Sequence, residues 1–215
     1  LDIVDQLELD IDDADCTIVV GDHASLSGGD DVTWEIEGNL LKVKQEQRGG
    51  WWWKSKSAPI TLVLPGPLSK MDIDVDAGSV LVSKMTVTQD LTCDVDAGTI
   101  TLKDVTVGRR LEADVDAGSV DYNGHLYGAA KLDCDAGSIH LGLLPDSAIG
   151  KVTGNVDAGE VKVYVDGEKV IDRDGYSETI SADIPGVEGK ELATFDCDAG
   201  RISIEVETDG NAEET

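Results

Sequence analysis

The sequence predicts an all-β fold, a single-stranded parallel β-solenoid, on three observations: a triplet that recurs about every 20 residues, apolar alternation on both sides of it, and a constant odd spacing across it. The triplet Asp-Ala-Gly begins at Asp76, Asp96, Asp116, Asp135, Asp157 and Asp198, at intervals of 20, 20, 19, 22 and 41. The last interval has room for one coil without the triplet.

Before each triplet, apolar residues alternate with polar ones, the period of a strand. Met71, Ile73 and Val75 form one such set, and Leu91, Cys93 and Val95 the next. After the triplet the alternation resumes, at Val80 and Val82, then at Ile100 and Leu102. Five residues separate Val75 from Val80, Val95 from Ile100 and Cys197 from Ile202. A straight strand could not keep both sets on one face across an odd offset, so the chain must turn at Asp-x-Gly. Glycine there would supply a positive φ, and alanine a side chain small enough for close stacking. A second corner is expected near Ser83-Lys84 and Lys103-Asp104, followed by short stretches holding Met85 and Val87, then Val105 and Val107. That makes three strands and three corners per coil. A unit of this size buries its apolar face only by stacking on its neighbours, and the preference for right-handed crossovers makes the coil right-handed.

The ends read as degraded copies. Trp34 and Ile36, then Leu41 and Val43, keep the offset around Glu37-Gly38-Asn39, and Leu7, Leu9 and Ile11 form an earlier strand. Residues 1–207 thus form one solenoid domain of about nine coils, a rod roughly 40 Å long at about 4.8 Å per level. Residues 163–190 are an irregular coil with a hairpin signal at Asp166-Gly167, and residues 208–215 an acidic flexible tail. Between Val43 and Ile60 lies a surplus, a corner insertion over residues 45–59 that carries Arg48, Trp51, Trp52, Trp53, Lys54 and Lys56.

Repeated x-Val-Asp-Ala-Gly-x-Val/Ile coils preceded by Ile60-Thr61-Leu62-Val63-Leu64-Pro65 resemble the bacterial putative-adhesin domains. The resemblance spans nearly the whole chain. It implies a β-solenoid displayed outside a membrane, cell-surface or secreted, held by an anchor upstream of Leu1, and it brings no catalytic residues with it.

Charge narrows the function. Forty-four acidic against 17 basic residues give a net charge of −27, which repels phosphate and disfavours nucleic acid and anionic lipid alike. No apolar run approaches the roughly 20 residues of a membrane-spanning helix. There is no nucleophile elbow, phosphate-binding loop or dinucleotide fingerprint, and His23, His125 and His140 are scattered. The chain therefore reads as a non-enzymatic, extracytoplasmic, adhesin-like module that binds a cell-surface glycan or protein. The alternatives are an envelope-signalling accessory or assembly module pairing with a membrane protein and, on fold analogy alone, a polysaccharide-active enzyme. Exposed end coils would permit coaxial, end-to-end self-association.

Two sets of residues are candidates for a site. Trp51, Trp52 and Trp53 cannot all face inward on a strand, so with Lys54 they form either a sugar-stacking platform or a flap packed over the solenoid. Asp76, Asp96, Asp116, Asp135 and Asp157 should stack along one edge, beside a second row of Asp74, Asp94, Asp114 and Asp133. These read first as corner residues accepting backbone N–H bonds; the alternative is a hard cation, Ca²⁺, held between the rows. No other cofactor is expected. Cys93, Cys134 and Cys197 take inward positions as small apolar residues, with Cys134 and Cys197 on non-adjacent coils too far apart to bond.

Overall fold

The computed structural model describes residues 4–46, 57–174 and 178–208. Within them the chain is all-β and without helix. In chain order the strands are β1 (Gln6–Ile11), β2 (Asp15–Val20), β3 (Ser25–Ser27), β4 (Val32–Glu37), β5 (Leu40–Gln45), β6 (Ile60–Leu64), β7 (Leu68–Val75), β8 (Ser79–Ser83), β9 (Thr86–Val95) and β10 (Thr99–Val107). There follow β11 (Arg110–Val115), β12 (Ser119–Leu126), β13 (Ala129–Cys134), β14 (Ser138–Leu143), β15 (Ile149–Val156), β16 (Glu160–Val165), β17 (Glu168–Asp174), β18 (Glu178–Asp183), β19 (Glu191–Cys197) and β20 (Arg201–Val206).

Equivalent strands of successive repeats pair in parallel and in register. Val75 lies beside Val95, Val95 beside Val115, and Val115 beside Cys134. The strands after the triplet do the same through Val80, Ile100, Val120 and Ile139. A short third ladder joins Leu68, Val87, Val107 and Leu126, all fully buried. The core is the sum of these inward columns.

The triplet corners work differently from the expectation. Their glycines are not among the residues of positive φ. They are needed because adjacent levels approach closely there: a Cβ on Gly118 or Gly137 would stand 2.4 Å from the carbonyl oxygen of the glycine one level away. Ala97 is exposed and Gly98 buried, so the glycine marks the close contact. Each alanine N–H donates to the aspartate carbonyl of the preceding level, Ala97 to Asp76 and Ala117 to Asp96 at 2.7 and 2.8 Å. At the second corner Lys84 and Asp104 take left-handed φ values of 57° and 53°. The 19-residue repeat lacks that residue. Gly124 pairs with Val105 across a register shift, and the hydroxyl of buried Tyr122 lies 2.9 and 2.8 Å from the carbonyls of Val105 and His125.

The order of levels is the main departure from the sequence reading. The strands before the triplet run β4–β5–β1–β7–β9–β11–β13–β19–β15–β18. Those after it run β3–β6–β2–β8–β10–β12–β14–β20–β16–β17. Both ladders thus have eight parallel strands and one antiparallel strand at each end. The first and last coils of the described chain, β1–β2 and β19–β20, lie inside the stack. After β14 the chain skips one level, forms β15 and β16, caps them with β17 and β18, then returns to fill the gap. The N-terminal end follows the same path in reverse.

Two corrections follow. Glu37-Gly38-Asn39 is the turn of an antiparallel hairpin, with Gly38 at φ 66°, and not a solenoid corner. Cys134 and Cys197 are in-register neighbours, both buried and free, with their thiols donating to the backbone carbonyls of Arg201 and Glu160, each at 3.9 Å. They are not on non-adjacent coils, because the level next to β13 is filled by β19, which separates it from β15. Gly154 of β15 leaves room for Phe195, since a Cβ there would stand 2.6 Å from the phenyl Cδ2.

Candidate functional site: the N-terminal end and the acidic wall

The N-terminal end is built on the β4–β5 hairpin. Alternation sends Val32, Trp34 and Ile36 to the side on which Leu41 and Val43 enter the core. Leu41 and Val43 are covered by β1. Trp34 and Ile36 lie one strand further out and remain 58 % and 40 % exposed. On the opposite, outward face of the same strands, with Trp34 at its margin, a hollow of about 440 Å³ is lined by polar residues of β1, β4 and β5, among them Glu8, Asp10, Glu35, Lys42 and Lys44. Lys42 bonds Glu37 at 3.1 Å and Lys44 bonds Asp10 at 2.9 Å. These contacts raise both ammonium pKa values and bring two basic side chains among the acidic ones.

Below it, the column that holds valine in the repeats ends in Gln45, which is fully buried. Its amide is satisfied. Oε1 accepts the Asp13 N–H at 3.0 Å, and Nε2 donates to Asp13 Oδ1 at 2.9 Å and to Ser57 Oγ at 3.2 Å. A buried polar group of this kind demands such partners, and they fix the backbone on which Trp34 stands.

The acidic wall is the second candidate. Asp10, Asp74, Asp94, Asp114, Asp133 and Asp196 occupy one in-register row. Partial desolvation first, and then repulsion from Asp94, Asp10 and the corner aspartates, push the Asp74 carboxyl up to about 6. Asp94, Asp114 and Asp133 are raised for the same reasons. Asp76, Asp96, Asp116 and Asp135 stand at the corners in consecutive levels, continued by Asp198 before Asp157. The side chains of Asp76, Asp96, Asp116 and Asp135 are exposed and make no hydrogen bond among the described residues, so these corners are held by the backbone ladder and not by their carboxylates. No group of three or more histidine, cysteine, aspartate or glutamate side chains among the described residues converges as a metal site.

Trp51, Trp52, Trp53 and Lys54 lie outside the described residues. The structure instead exposes Trp34, which lies in β4 as one of the apolar set expected to pack in a coil. The Gly-Asn pair at positions 38 and 39, flanked by alternating residues, is the hairpin signal that would have found it.

No family model and no curated protein matches the chain. Among solved structures it is similar to a putative cell adhesion protein from Clostridium sporogenes, with 12 % identity over 94 % of this chain and 93 % of that one and a TM-score of 0.42.

Proposed function

We propose that this chain is a non-enzymatic, adhesin-like binding module that acts outside the cell, built as a right-handed β-solenoid and contacting a surface glycan or protein through its N-terminal end. The observation that carries the reading is the exposure of Trp34 and Ile36 at an otherwise well-buried end of the core, on strands whose outward face carries a hollow of mixed charge. An indole offers a flat apolar face with an N–H donor, and paired carboxylates and ammonium groups suit hydroxyl or amide partners. The wall, crowded with aspartate, repels anionic surfaces, which leaves the end as the face best suited to contact.

Binding of the purified chain to a glycan array and to intact bacterial envelopes tests the reading. The wild-type chain should bind at least one of them, and Trp34→Ala should lose about tenfold or more in affinity, as interface aromatics do. Equal binding by the two proteins would contradict the assignment of the site.

A further inference from the structure

Among the described residues β4 pairs only with β5, so its outer edge and its apolar row are both uncovered. We infer that a second copy of this chain covers this end, with the two β4 strands pairing antiparallel about a two-fold axis at Trp34. The inference rests on the N-terminal end being the contact surface, and it names the partner.

The register is self-complementary. Val32-Thr33-Trp34-Glu35-Ile36 alternates symmetrically about its central residue. With the axis at Trp34, Val32 meets the partner's Ile36, Thr33 meets the partner's Glu35, and the two indoles meet each other. Cross-strand aromatic and β-branched pairs of this kind stabilise antiparallel ladders. Moving the axis one residue, to Glu35, would oppose two carboxylates directly, so the sequence favours one register.

Charge selects the end over the side. Lateral contact would bring together walls bearing Asp74, Asp94, Asp114 and Asp133 on a chain of net charge −27. At the N-terminal end Lys42 and Lys44 pair with Glu37 and Asp10, so the acidic side chains there are partly offset. The opposite edge does not offer the same surface: in β18, Ile180 is 6 % exposed, and its neighbours are Thr179 and Ser181. One self-complementary end gives a closed two-fold dimer rather than a fibre.

Sedimentation of the full chain over a range of concentrations decides the matter. The expected result is a reversible monomer–dimer equilibrium that tightens as salt screens the walls. Trp34→Lys and Ile36→Lys should each weaken it about tenfold or more, and Thr179→Lys at the other end should leave it unchanged, all with near-native melting temperatures. A wild-type chain that stays monomeric at every concentration overturns the inference, as it would if residues 47–56 of the same chain or a different molecule occupied the end. A dimer indifferent to both lysine variants overturns it too. If the chain is monomeric and Trp34→Ala still abolishes envelope or glycan binding, only the second copy is wrong. If neither measurement responds to Trp34, the binding reading fails as well.

Discussion

The two ends of the stack follow the same path and are finished differently. At each, an outermost parallel level is capped by antiparallel strands, and the terminal coil fills the gap behind it. At the C-terminal end the inward row of the cap is covered: Ile171, Ile180 and Ile184 are 8 %, 6 % and 2 % exposed. At the N-terminal end the corresponding residues are Trp34 and Ile36, about half exposed. Topology therefore sets where the core stops, while side-chain choice sets whether the stop is closed. Both caps end the parallel ladders with an antiparallel edge, but among the described residues the N-terminal one exposes two adjoining apolar side chains, Trp34 and Ile36, and the C-terminal one only Val170, at 37 %. Such a surface is costly in water unless something uses it.

The largest expected effect lies at the C-terminal end. Ile180→Ala should destabilise the chain by about 2–4 kcal/mol, since it removes buried methyl groups and leaves a cavity. Chemical denaturation measures it, and a loss below about 1 kcal/mol would mean that the C-terminal cap is not part of the core. Next is Gln45→Ala under the open end. It removes the Oε1 that accepts the Asp13 N–H and the amide that donates to Asp13 Oδ1 and Ser57 Oγ, so a loss of about 1–3 kcal/mol is expected. Retention of full stability would show the polar network to be incidental.

Between the two ends, the aspartate row makes stability depend on pH. Its folded-state pKa values are raised, so the folded chain binds more protons than the unfolded chain. The contribution is fully present below the unfolded value of about 3.9 and is lost as pH rises through the folded values, which reach about 6 at Asp74. The melting temperature should therefore increase as pH falls from 7 towards 4. Glu160, Asp166 and Asp172 are shifted downward by their partners and act in the opposite sense, but they are lost only below that window. A melting temperature that falls steadily from pH 7 to 4 would contradict the row's crowding. Calcium should have no effect on the midpoint beyond that of magnesium at equal concentration, because the carboxylates stand in a row and do not converge.

The smallest expected effect on stability is that of Trp34→Ala, about 1 kcal/mol or less, because the indole is already largely in water. A loss comparable to that of Ile180→Ala would erase the contrast between the ends.

The middle of the stack was legible because its signal is local. Alternation and the five-residue offset place Met71, Ile73, Val75 and Val80 in the core, and the structure buries all four. The ends were not, for two physical reasons. An odd offset follows from a hairpin as well as from a bend, which hid the reversal at Gly38 and with it the exposure of Trp34. Parallel levels with near-identical strands are also interchangeable in sequence. Asp133-Cys134-Asp135 and Asp196-Cys197-Asp198 carry the same pattern as every other repeat, so nothing local places β19 ahead of β15. That choice is made by packing, in which Gly154 accommodates Phe195, and by the caps that β17 and β18 must form. The candidate at Trp34 went unread for the same reason as the hairpin beneath it.

Hydrogen exchange of the intact chain tests the shared path and the unequal finish together. Amides of β1 and β19 should be protected as strongly as those of β11, despite lying near the ends of the chain, because they sit between parallel neighbours. Among the caps, β4 should exchange faster than β18. Rapid exchange of β19 and β20 together with the residues that follow them, or a β4 as slow as β18, would contradict the account.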